Sequence, residues 1–170
     1  RRIQGHLVLL LDASASMQAD DLSPSRFEAA RSRARALIDS LGPNDTMTLI
    51  AVADLPQVLA SMTNDRAVLR QALAGAQVTN SEADWEAALL LAASSAEQAL
   101  RPATVILSDG GLPADLPSLP GQVRYIPLGV TAENRALTAL SIYDDAGQGA
   151  QAFVRVSNLG TQPAAPLVEL

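Results

Sequence analysis

The sequence predicts an α/β domain, a doubly wound and mostly parallel central sheet flanked by helices, followed by a short all-β tail. Three observations carry this expectation. Unbroken apolar runs of strand length alternate with segments of helical periodicity up to about residue 130. Two of those runs end in an aspartate followed by small residues. Beyond that point the pattern changes to short alternating strands and turn-rich connections. The division falls between residues 1–135 and residues 136–170.

Taken in order, Leu7 to Leu11 is an apolar run closed by Asp12, suited to a strand buried on both faces. Ser23-Pro24 reads as an N-cap followed by proline at the first helical position. The helix after it carries Phe27, Ala30, Ala34, Leu37, Ile38 and Leu41 on one stripe, with Arg31, Arg33 and Arg35 largely off it, and stops at Gly42-Pro43. Met47 to Ala53 is a second strand, and Gln57 to Met62 a short edge strand. Thr63 or Asn64 caps a helix bearing Val68, Leu69, Ala72 and Leu73. A longer helix lines up Trp85, Ala88, Leu89, Ala92, Ala96 and Leu100, with Pro102 beyond its end. Thr104 to Leu107 and Val123 to Leu128 complete the strands of the main domain. In the tail, Leu140 to Ile142 and Ala152 to Val156 are strands joined by the turn Asp144 to Gly149, and Pro166 to Leu170 follows a further turn.

Composition narrows the function. Eighteen acidic residues against twelve basic ones give a net charge of −6. That balance disfavours nucleic acid and anionic membrane surfaces as partners. Aromatic residues make up only 3% of the chain, too few for a base-stacking platform. The absence of cysteine removes disulfides, thiolate metal sites and cysteine nucleophiles. No apolar run approaches the roughly 18 residues that span a bilayer, so this fragment is not expected to insert into a membrane by itself. The chain opens at Arg1 and closes in mid-pattern at Leu170, as an excised piece of a longer protein does.

Two carboxylates carry the chemistry. Asp12 and Asp109 each follow a buried strand, and in an open parallel sheet such ends share the edge where ligands bind. The loop Asp12-Ala13-Ser14-Ala15-Ser16 adds two hydroxyls at alternate positions. Carboxylate and hydroxyl oxygens converging there suit a hard divalent cation with water in the open positions. The bland reading of Ser14 and Ser16 is a pair of turn residues bonding the backbone. Asp12, by contrast, is costly to leave at a crowded edge without a partner.

At these residues the chain resembles the von Willebrand factor type A domains. Asp12 to Ser16 is similar to the family's Asp-x-Ser-x-Ser motif, Leu7 to Leu11 to its first strand, and Leu107-Ser108-Asp109-Gly110 to its fourth-strand signature. The element order agrees from residue 5 to about 130. The resemblance implies a Rossmann-like fold and a metal ion-dependent adhesion site holding Mg²⁺ or Mn²⁺, with Ca²⁺ a further option. Carried over by position, Ser14 and Ser16 are direct ligands, and Asp12 and Asp109 act directly or through water. A carboxylate from a partner protein completes the shell.

One position departs from the pattern. The family's threonine, six residues before a leucine on the following helix, falls on Ala83 when aligned at Ala88-Leu89, with Asp84 next to it. Alanine offers no ligand atom, which leaves Ser81 or Asp84 to substitute. Ser81-Glu82-Ala83-Asp84 also reads as a capping box.

Catalysis finds little support. The only histidine, His6, should lie about 20 Å from Asp12 along an extended strand, and no phosphate-binding glycine loop is present. The expected function is therefore non-enzymatic protein–protein interaction, through a cation and a partner's Asp or Glu. Two other readings stay open: a metal-free scaffold with a degraded site, and a metal-dependent enzyme using the same crevice. The resemblance further implies a bacterial, membrane-anchored parent with this piece in an aqueous, extracytoplasmic compartment. The tail resembles the start of an Ig-like or CARDB-like β-sandwich, whose open edges could pair with a second copy.

Overall fold

The computed structural model describes residues 5–113, 118–129, 135–145 and 149–158. Contacts divide the chain into two units, Arg1–Gly129 and Val130–Leu170. In the first, a five-stranded sheet runs in the order β3-β2-β1-β4-β5. Strands β1 (His6–Asp12), β2 (Thr46–Val52), β4 (Pro102–Ser108) and β5 (Gln122–Pro127) are parallel, and β3 (Gln57–Thr63) is antiparallel at one edge. β1 is central and buried at every residue, as its unbroken apolar run requires.

Side chains alternate across the sheet and build two apolar layers. Leu7, Leu9 and Leu11 face α1 (Arg26–Ser40) and α2 (Arg66–Gly75), where Phe27, Ala30, Ala34, Ile38, Leu69 and Leu73 close the layer. Val8 and Leu10 face the other way, onto Trp85, Ala88, Leu89, Ala92 and Ala96 of α3 (Trp85–Glu97). The chain leaves β1 for β2 on one side and later returns to β4 on the other. The strand order thus reverses beside β1, and the crevice between the ends of β1 and β4 is the place for a ligand.

The expected elements are present, but their ends shift where side chains outbid local signals. Helix α1 is capped by Ser25, whose hydroxyl accepts from Glu28 N–H, rather than by Ser23. The cap of α2 is Asp65, which receives Ala67 and Val68 N–H, in place of Thr63 or Asn64. A carboxylate at that position satisfies two orphan amides at once. Val68 is 46% exposed and Leu100 is 89% exposed beyond the end of α3, so neither belongs to the stripe on which the periodicity set it.

His6 begins β1 and is buried, with Nδ1 2.8 Å from Thr46 Oγ1 and Nε2 3.2 Å from Thr48 Oγ1. Thr48 also accepts Met62 N–H, where the register of β3 on β2 shifts. Burial holds the imidazole pKa below its ordinary value. A histidine with a lowered folded pKa stabilises the fold fully above its unfolded pKa, and that stability is lost as pH falls from about 6.5 through the folded value. Between about pH 8 and pH 5, wild type should therefore lose more unfolding free energy than His6→Gln, which stays neutral throughout. Equal losses in urea melts would show that His6 contributes nothing to the pH dependence.

In the second unit, β6 (Arg135–Asp145) and β7 (Gly149–Asn158) form a two-stranded antiparallel sheet. The strands take up Asp144, Asp145 and Gly149, which the sequence assigns to the turn. The segment Pro166 to Leu170 lies outside the described residues.

Candidate metal centre

The first strand delivers Asp12 to the sheet edge, and the chain after it is tied down by its neighbours. Ala13 N–H donates to Val52 O, Ala15 N–H to Ser81 O, and both Thr79 N–H and the Thr79 hydroxyl donate to Ala13 O. A short 3-10 turn, Ala15–Gln18, follows. Gln18 reaches Thr79 O and Asn80 Oδ1 from it. The loop is thus held between β2 and the segment that precedes α3.

Four of the five expected site residues come together. Ser14 Oγ lies 3.2 Å from Ser16 Oγ, and Ser16 donates to Asp109 Oδ1 at 3.0 Å. Asp12 Oδ1 accepts Ser14 N–H at 2.9 Å and its Oδ2 accepts the Ser108 hydroxyl at 2.6 Å. Asp12 is 1% exposed. Burial pushes its carboxyl pKa up, the bonds from Ser108 and Ser14 pull it down, and the neighbouring charge of Asp109 raises it further. Ser108 also accepts Gly110 N–H, and Tyr125 donates to Ser108 O. One hydroxyl of β4 therefore orients both the first aspartate and the loop that carries the second.

The fifth residue stands apart. Asp84 is exposed, and its carboxylate accepts Ala87 N–H at 3.0 Å as the N-cap of α3. Helix α3 starts directly after it, so Ser81 is one turn too early to act as a cap. Ser81 instead exchanges hydrogen bonds with Thr79 and Asp54. Ala83 packs against the apolar layer beside Leu112 and Leu119.

A basic residue that periodicity did not single out also reaches this cluster. Arg26 opens α1 and is 6% exposed. Its Nη1 donates to Asp109 Oδ2 at 2.6 Å, while Nε and Nη2 hold both oxygens of Asp21 at 2.7 and 2.9 Å. These bonds, that to Asp21 first, raise the guanidinium pKa further. An aspartate five residues ahead of an arginine at a helix start is the only trace of this in the sequence.

The donor set fits a small hard cation in part. In an octahedron with metal–oxygen bonds of about 2.1 Å, adjacent ligand oxygens stand about 3 Å apart. Ser14 Oγ to Ser16 Oγ and Ser16 Oγ to Asp109 Oδ1 have that spacing, so three oxygens mark two edges of such a shell. Both Asp12 oxygens already accept protein donors, which suits it to supply charge and hold Ser14. Among the described residues no three His, Cys, Asp or Glu side chains converge as a metal cluster. Water would fill the remaining positions.

Comparison with known proteins bears on the fold and the family. A UPF0353 protein of Mycobacterium tuberculosis is 34% identical over 107 residues, 63% of this chain and 30% of that protein. Another, from Mycobacterium sp. strain KMS, is 36% identical over 80 residues, 47% of this chain and 24% of that protein. The chain thus matches under a third of the length of these relatives. An aerotolerance-related membrane protein from Bacteroides fragilis shares the fold with a TM-score of 0.69 at 23% identity, over 92% of this chain and 82% of that one. Proximal thread matrix protein 1 of the mussel byssus, solved with a zinc-occupied MIDAS motif, gives a TM-score of 0.54 at 14% identity, over 68% of this chain and 33% of that one. Residues 7–111 match the family model of the von Willebrand factor type A domain. With the sheet order and the aspartates at the ends of β1 and β4, the chain belongs to that family.

Proposed function

We propose that this domain is a non-catalytic protein-interaction module that binds Mg²⁺ or Mn²⁺ through Ser14, Ser16 and Asp109 and, through the ion, a carboxylate of its partner. The observation that carries this reading is Ser16 Oγ standing between Ser14 Oγ and Asp109 Oδ1 at ligand-edge spacings. Asp12 holds Ser14 in place and adds negative charge at the base of the site. The bound cation supplies Lewis-acid attraction for an Asp or Glu. Ca²⁺, which takes longer oxygen contacts, stays a further option with water in the open positions. The mussel protein, on the same fold, carries a zinc-occupied MIDAS motif, which supports reading this domain as a cation binder.

The parent protein is read as bacterial and membrane-anchored, with this domain in an aqueous, extracytoplasmic compartment. The Bacteroides fragilis protein of the same fold is a membrane protein, which supports the bacterial, membrane-anchored part of that reading. No helix of the described residues is long and apolar enough to cross a membrane.

The test is a titration of metal-stripped protein with Mn²⁺, read by electron paramagnetic resonance and by thermal melting. A ligand that binds only the folded state raises the melting temperature with concentration. Saturable binding that is lost in Ser16→Ala is expected. Free Mn²⁺ at every concentration would leave a metal-free scaffold, the reading that Ala83 favours.

A further inference from the structure

The structure places a fixed positive charge on Asp109, the carboxylate assigned to the proposed cation. Asp109 shares itself between Ser16, on Oδ1, and Arg26, on Oδ2. Arg26 has little freedom to withdraw. Asp21 grips it in bidentate fashion, and the side chains of Arg26, Asp21 and Asp109 are 7%, 15% and 8% exposed. A fork held on two carboxylates at once loses little further entropy. Gly129 confirms that the space belongs to the guanidinium. Its φ is +106°, and a Cβ built there would stand 2.9 Å from Arg26 Nε.

We propose that Arg26 is the site's resident cation: it neutralises Asp109 when no metal is bound and thereby sets the affinity for divalent ions low. The inference rests on the reading of this crevice as a cation site. Among the described residues, Asp12, Asp21 and Asp109 against Arg26 leave two formal negative charges, which one divalent ion balances. Without the guanidinium three remain, and the repulsion between Arg26 and the incoming ion is gone. Charges a few ångströms apart in a partly buried site interact strongly enough to shift a binding constant by more than tenfold.

The experiment compares wild type, Arg26→Met, which keeps volume without charge, and Arg26→Lys, which keeps charge without the fork. Mn²⁺ affinity and melting temperature are read for each, with and without Mg²⁺. Arg26→Met is expected to melt lower than wild type without metal, to bind Mn²⁺ about tenfold tighter or more, and to recover most of the lost melting temperature in Mg²⁺. Arg26→Lys should bind Mn²⁺ like wild type. Should Arg26→Met fail to fold without metal, refolding in Mg²⁺ would support the proposal, and failure to refold there would overturn it. Equal affinities in wild type and Arg26→Met would overturn it while leaving the cation site intact. Binding by Arg26→Met alone would support it and end the reading of the native domain as metal-dependent. No binding by either protein would sink both.

Discussion

Replacing Asp12 by alanine should destabilise the domain by about 1–3 kcal/mol, the cost of leaving a buried backbone donor unpaired, and should abolish divalent-ion binding. Asp12 is 1% exposed and receives Ser14 N–H and the Ser108 hydroxyl. An alanine leaves Ser14 N–H without its acceptor in a place water does not reach, while the Ser108 hydroxyl still has Gly110 O within reach at 2.9 Å. Asp12→Asn separates the two effects. Its amide oxygen keeps one of the two bonds, and it removes a charge that burial already disfavours. We expect Asp12→Asn to stay within about 1 kcal/mol of wild type, since an unfavourably buried charge is removed together with one of its bonds. Its cation binding should nonetheless be lost. Denaturant melts and Mn²⁺ titration of the two variants check this. An Asp12→Asn that still binds Mn²⁺ at wild-type affinity would mean that Asp12 only shapes the loop.

Trp85→Ala should cost more, about 3–5 kcal/mol as for other buried aromatic truncations. Trp85 opens α3 at 4% exposure and packs with Val8, Leu10, Ala88, Leu89 and Ile106. Its indole nitrogen lies 3.8 Å from where a Cβ on Gly111 would stand, so the ring also underlies the loop behind Asp109. The variant should lose cation affinity together with stability, although Trp85 bears no ligand atom. Trp85→Phe, which keeps a ring in the layer, should lose less than half as much. Because Trp85 is the only tryptophan, unfolding must be followed by circular dichroism. A loss below about 1 kcal/mol would place Trp85 outside the core, since surface substitutions fall in that range.

Much of the fold was legible because each element declares its own burial. The apolar run of β1 and the stripes of α1 and α3 are one-dimensional patterns, and the structure buries Phe27, Ala30, Ala34 and Ile38 on one face and Ala88, Leu89 and Ala92 on the other. The helix starts were less legible. Several polar residues precede α1, α2 and α3, and the cap is whichever one the packed helix leaves at the right geometry. Ser25 therefore displaced Ser23, Asp65 displaced Asn64, and Asp84 became a cap although its sequence position also suggested a ligand.

The same division runs through the site. By itself the sequence determined that Asp12, Ser14 and Ser16 share one loop and that Asp109 follows a second buried strand, because spacing along a strand decides which residue emerges at its end. Only the tertiary structure decided that Ser108 orients Asp12, that Ala83 belongs to the apolar layer, and that Arg26 reaches Asp109. Those contacts join residues tens of positions apart, and they arise from the crossover that sets β4 beside β1 and the start of α1 over the crevice. Periodicity records what a residue buries within its own helix or strand. It holds no record of which long side chain from another element fills the space at the sheet edge.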